Sequence, residues 1–222
     1  MIKLDIISDP ICPWCYIGKS YLDRALAAHP DHPFTIEWHP YQLNPEMAAG
    51  GMDRREYLEL KFGGQDGALK VYGEIAQTAE KAGLNIDFAA IKTTPNTLNA
   101  HRLIHWSGVE GRQAFVVAAL FKAYFVEGRD IGDDAVLSNI AADSGMDADM
   151  VERLLATDAD LQDIRARDAH SREMGVRGVP TFIINNEAVL TGAQPADTWG
   201  QVIVELLERD QLSAEVDPAP EC

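Results

Sequence analysis

Apolar and polar residues alternate near both ends of the chain and recur at helical spacing through its middle. Ile2, Leu4, Ile6 and Ile7, with Lys3 and Asp5 between them, predict a mostly buried strand that Ser8-Asp9-Pro10 ends. From Tyr16 through Leu22 to Leu26 the apolar positions fit one face of a helix, which fades by Ala28-His29-Pro30. Phe34 to Pro40 alternates again, predicting a second strand with Phe34, Ile36 and Trp38 facing the core. Strand, helix and strand in about forty residues imply a right-handed crossover with the two strands parallel.

From Asp53 onward the texture is helical. Asp53 and Glu56 form a capping box ahead of Tyr57, Leu58, Leu60 and Phe62, and Gly63-Gly64 stops that helix. Leu69, Tyr72, Ile75, Ala76 and Ala79 mark the next, closed by Gly83, and Thr94-Pro95 opens another that runs through Leu98, His101, Leu103 and Trp106. Ala114 to Val126 is strongly apolar and predicts the central helix of this region. Further helices start at Asp133 or Asp134 and at Asp147, and Leu161 to Met174 supplies the last. Val179 to Ile184, the turn Asn185-Asn186 and Ala188 to Thr191 then predict a β-hairpin, and Pro195 to Arg209 a closing amphipathic helix. Residues 1–45 and 176–212 thus read as one α/β domain, 46–175 as an all-helical insertion, and the polar, proline-bearing stretch 213–222 as a flexible tail.

Charge narrows the partners. Nineteen basic against 35 acidic side chains leave a net charge of −16 in 222 residues, and a surface that acidic repels nucleic acid and anionic membrane alike. No run of about twenty apolar residues is present to span a bilayer. Met1 leads straight into the first strand, which points to a cytoplasmic protein. Three cysteines in that setting do not make a disulfide scaffold, and two of them carry the chemistry.

Cys12-Pro13-Trp14-Cys15 lies where the first strand gives way to the first helix. Pro13 suits the first helical position, since its missing N–H would have no partner there. Backbone amides and the helix dipole at such a site favour a thiolate at Cys12, below the value of about 8.5 for a free thiol. Cys15, one turn deeper on the same face, is placed to attack a mixed disulfide formed at Cys12. This cycle requires a Cys12 sulfur that solvent can reach. A structural zinc would need four ligands, and the one other cysteine is Cys222 at the polar end of the chain, an incidental thiol, so no metal is expected. Two inert core thiols are the plainer alternative. Glu37 or His39 could relay a proton to Cys15, although residues of a solvated strand face fit them better.

The stretches Asp9 to Lys19, Gln42 to Pro45, Asn96 to Arg102 and Gly175 to Phe182 resemble, in that order, the DsbA-like thioredoxin-fold oxidoreductases, and most closely their FrnE-type branch. That branch is related to 2-hydroxychromene-2-carboxylate isomerases and kappa-class glutathione transferases. The resemblance implies an α/β thioredoxin fold with a large all-helical insertion between the second strand and the C-terminal hairpin. It implies attack by Cys12, resolution by Cys15 and a cis-proline at Pro180, with Pro13, Trp14, Val179 and Pro180 meeting the substrate by strand-like main-chain contacts. Asn96 and His101 would border the cleft over Cys12; the alternative is that Asn96 caps a helix and His101 packs between helices. The isomerase and transferase relatives usually carry serine where Cys12 stands, so two cysteines point to dithiol exchange. Trp14, in place of the histidine of periplasmic DsbA, implies a less oxidising pair.

These features together imply a thiol-disulfide oxidoreductase acting on protein or small-molecule thiols and disulfides, as a monomer or homodimer. No organic cofactor is implied, and glutathione is a candidate co-substrate. A glutathione-dependent isomerase or transferase of small aromatic compounds, and a non-catalytic chaperone-like protein, are the competing readings.

Overall fold

The computed structural model describes residues 1–216; the end of the expected tail, with Cys222, lies outside the described residues. β1 (Ile2–Ser8), α1 (Pro13–Ala28) and β2 (Phe34–Pro40) form the expected crossover. β1 pairs in parallel with β2 from Ile2 opposite Phe34 to Ser8 opposite Pro40. Leu4, Ile6 and Ile7 are all buried because both faces of β1 are covered, which is why the strand reads as nearly continuous apolar sequence.

Between β2 and the hairpin lie β3 (Met52–Asp53), α2 (Arg54–Phe62), α3 (Gln65–Lys81), β4 (Thr93–Thr94), α4 (Leu98–Val109), α5 (Gln113–Phe125), α6 (Asp134–Asp143), α7 (Ala148–Leu155) and α8 (Leu161–Glu173). β5 (Thr181–Ile184), β6 (Ala188–Thr191) and α9 (Ala196–Val216) follow. The main sheet has the order β2-β1-β5-β6, with β5 antiparallel to both neighbours. This is a mixed α/β architecture with a helical segment inserted between β2 and the hairpin.

Three features differ from expectation for local reasons. Thr94-Pro95 does not open a helix: Thr93 and Thr94 are extended and pair with Met52 and Asp53, as a residue before proline prefers, and α4 starts only at Leu98. α9 continues past Arg209 to Val216, into the stretch expected to be a tail, because no helix breaker intervenes before Asp217-Pro218. Leu60, Leu69 and Phe115 sit at helical spacing with apolar neighbours, yet all three are exposed, because the core takes a narrower stripe of each helix than the sequence offers.

Two of the contacts that key the helical segment to the α/β core are these. The Gln113 side chain clamps the edge strand β2, accepting from the Trp38 amide at 2.8 Å and donating to the Trp38 carbonyl at 3.2 Å. Tyr16, one residue after the cysteine pair, stacks on Phe121 and Phe125 of α5 with ring centroids 5.2 and 5.5 Å away. Buried Arg102 donates to the carbonyls of Leu154, Thr157 and Ala159, closing the C-terminal end of α7. No described helix is long and apolar enough to cross a membrane.

Candidate redox site

Cys12 occupies the N-cap of α1 in extended conformation, with Pro13 as the first helical residue. The Asp9 carbonyl accepts the Cys12 amide at 2.9 Å, and the Cys12 carbonyl accepts the amides of Cys15 and Tyr16 at 3.1 and 3.2 Å, so the pair is fixed by a turn followed at once by helix. Both cysteines are free thiols. Cys15 points into the core at 1% exposure, and Cys12 keeps 4%. The expected open nucleophile is therefore corrected: the sulfur is nearly covered, because its thiol turns to the Val179 carbonyl 3.6 Å away. Trp14, by contrast, is 37% exposed beside it, while Pro13 is buried.

The Val179–Pro180 peptide is cis. Pro180 is buried, and Val179 partly so. Gly18 lets this loop approach α1: a Cβ there would stand 3.1 Å from Pro180 Cγ. Burial pushes the Cys15 thiol well above its ordinary range. A hydrogen bond with Cys12 and charge on that neighbour push the same way, while the Ser8 side chain and the Asp9 backbone oppose them. The Cys15 thiol therefore holds its proton more firmly than an ordinary cysteine.

A model of the DSBA-like thioredoxin domain matches residues 3–204. The chain belongs to the DSBA-like thioredoxin family. It is 28% identical to a probable DsbA oxidoreductase of Streptomyces coelicolor, whose structure superposes with a TM-score of 0.83 over 94% of this chain and 91% of the other. The protein YwbO of Bacillus subtilis (strain 168) is 26% identical over 204 residues, 91% of this chain and 96% of that one. The cytosolic disulfide reductase DsbM of Pseudomonas aeruginosa shares the fold at 21% identity and a TM-score of 0.68, over 93% of this chain and 98% of the other.

Within this DSBA-like chain, Asn96 and His101 do other work than lining a cleft over Cys12. Asn96 caps α4, accepting the Leu98 amide at 2.9 Å and donating to the Met47 carbonyl at 2.6 Å, and it lines a separate cavity of about 380 Å³. His101 is buried, its Nε2 lacking a hydrogen-bond partner and lying 3.8 Å from Asp9 Oδ1. Asp9 is fully buried just ahead of the cysteine pair, accepting from the amides of Leu43 at 2.7 Å and Ile11 at 3.3 Å and from the Thr97 hydroxyl. Burial raises its carboxyl to about 7 against those bonds, and burial lowers His101 to about 4. Near neutral pH the imidazole is uncharged, so the two do not form an ion pair.

Asp9 and Thr97 are the residues the sequence reading passed over. Both stand inside stretches that carry the resemblance, and a carboxylate three residues before the motif was the available signal. Glu37 and His39 lie on the opposite face of the sheet from the cysteines. His39 Nε2 meets Asp5 Oδ1 at 2.6 Å, and Lys3 and Arg167 complete an ion network around them. Asp5, Glu37 and His39 bring three potential ligand atoms within 4.8 Å of one another, but those two cations already neutralise the group.

Proposed function

We propose that the chain is a thiol-disulfide oxidoreductase in which Cys12 exchanges with the substrate and Cys15 resolves the intermediate. The observation that carries this reading is the placement of two free thiols one turn apart at the start of α1, the outer one against the Val179 carbonyl beside Pro180. In the reducing direction the Cys12 thiolate attacks one sulfur of a disulfide and the other sulfur leaves as a thiolate. The Cys15 thiolate then attacks the Cys12 sulfur, closing the Cys12–Cys15 disulfide and releasing the second thiol. Two electrons pass from the protein pair to the substrate, and two molecules of glutathione, oxidised to their disulfide, would restore the dithiol in a reducing cytoplasm. The isomerase or transferase reading loses the support expected from His101, which is sealed from any groove.

Substrate access to a nearly covered sulfur follows from what covers it. An extended segment that pairs with the Val179 main chain competes for the carbonyl now bonded to Cys12 and turns the thiol outward. The test is insulin reduction by wild type, Cys12→Ser and Cys15→Ala. Cys12→Ser is expected to fall to the uncatalysed background, and Cys15→Ala to stop after one turnover with substrate disulfide-linked to Cys12. Alkylation of the native protein followed by mass spectrometry is expected to label Cys12 and spare Cys15. Turnover by Cys12→Ser, or a Cys12 as unreactive as Cys15, would remove the proposal. Equilibration with glutathione buffers further checks that the pair is less oxidising than that of periplasmic DsbA.

A further inference from the structure

A cavity of about 500 Å³ opens between α2, α3 and the segment leading to β4, within the range of small-molecule sites. Its body is apolar: Leu58, Leu69, Tyr72, Phe88 and Ile91 line it, with Tyr72 and Phe88 locked edge to face at 4.9 Å between ring centroids. The unusual member of the lining is Arg54. Only 6% of this residue is exposed, and among the described residues its guanidinium forms no ion pair with any carboxylate. It is held by neutral groups. Nη1 donates to Thr94 Oγ1 at 3.2 Å and to the Tyr124 hydroxyl at 3.3 Å, Nη2 donates to the Tyr72 hydroxyl, and the rings of Tyr57, Tyr72 and Tyr124 surround it at 5.3 to 5.9 Å.

A buried charge normally has a buried counter-charge, because desolvation is otherwise uncompensated. Arginine cannot escape by losing its proton. Of the other charged side chains on the cavity wall, Arg55 is paired with Glu59 at 2.7 Å, Asp53 caps α2 by accepting the Glu56 amide, and Lys92 donates to the Ala89 carbonyl. Three of the five guanidinium donors of Arg54 are used, which leaves two for a ligand that brings the missing negative charge.

We propose that this cavity binds a small apolar carboxylate, with the anionic group on Arg54 and the hydrophobic body against Leu58, Tyr72 and Phe88. The site stands on its own observations and does not require the dithiol mechanism.

Titration of the full chain with 2-naphthoate and with its neutral isostere 2-naphthamide tests the proposal by calorimetry. The carboxylate is expected to saturate one site and the amide to bind at least tenfold more weakly. Arg54→Gln should erase that preference. Because Arg54→Gln also removes bonds that hold α2, a second variant carries the test independently: Leu69 is 63% exposed, so Leu69→Glu folds and should weaken naphthoate at least fivefold more than it weakens naphthamide, since both lose the leucine contact and only the acid meets the new charge. Equal binding of acid and amide, no saturation by the acid, or displacement of naphthoate by inorganic phosphate at equal concentration would each overturn it, the last by exposing a simple anion site without apolar recognition.

Discussion

Two buried polar groups of this chain solve the problem of burial in opposite ways. Ahead of the cysteine pair, Asp9 and His101 are an acid and a base 3.8 Å apart, and each is driven by burial towards its uncharged form. In the cavity between α2 and α3, Arg54 keeps its charge and is surrounded by tyrosine rings and hydroxyls, with no carboxylate paired to it among the described residues. The first group relaxes by moving a proton; the second cannot, because a guanidinium stays protonated. Buried polarity in this chain is therefore responsive to pH at Asp9 and His101 and fixed at Arg54.

The largest expected effect tests the responsive side. Asp9 titrates at about 7 in the folded chain against 3.8 for an ordinary carboxyl, so between those values the folded state holds a proton that the unfolded state has released. Stability then falls as pH rises through that window, by about 4 kcal/mol in total. His101 works the other way. Its folded value of about 4, against 6.5, means the unfolded state binds the extra proton, and stability rises by about 3 kcal/mol as pH climbs through that interval. The two contributions nearly offset in the parent. Asp9→Asn should therefore gain stability relative to the parent as pH rises from about 4 to 7, and His101→Gln should lose it, in urea unfolding across that range. If both differences stay flat with pH, the responsive half of the comparison fails.

The fixed side predicts a smaller loss without slope. Arg54→Gln removes charge-assisted bonds to Tyr72, Tyr124 and Thr94, and is expected to cost about 3 kcal/mol at every pH where the parent is folded. The same urea series measures it. A cost that vanishes on one side of neutrality would mean that a titrating acid, not the tyrosine cage, compensates the guanidinium.

How far each group could be read from sequence follows from how it is built. Cys12, Pro13 and Cys15 were legible because a helix start is a local event, written in adjacent residues, and so were the hairpin and the stacking of strand-helix-strand at the N-terminus. Asp9 with Thr97 and His101 joins parts of the chain nearly ninety positions apart, and nothing near Asp9 says that its carboxyl will be sealed in. Arg54 was hidden for a different reason. Its neighbour Asp53 correctly announces a helix cap, which makes an arginine in the first turn look solvated, and the two-residue ladder of Met52–Asp53 with Thr93–Thr94 that buries it is too short to leave a periodic signal. The same ladder explains why Thr94-Pro95 was read as a helix start.

The smallest expected effect is the most discriminating, because it asks whether one hydrogen bond can be switched by pH. The Thr97 hydroxyl bonds to the Asp9 carboxylate and lowers its proton affinity, working against burial. That bond stabilises the ionised form more than the neutral one, so it contributes fully only above about 7, where the folded carboxyl is charged. Thr97→Val keeps the shape and removes the donor. It is expected to cost about 1 kcal/mol above neutrality and close to nothing near pH 5, where Asp9 carries its own proton and needs no donor from outside. An equal cost at both pH values would make Thr97 an ordinary packing residue and leave the Asp9 site without its switch. A loss confined to alkaline pH would tie that switch to the carboxylate whose backbone carbonyl holds the Cys12 amide.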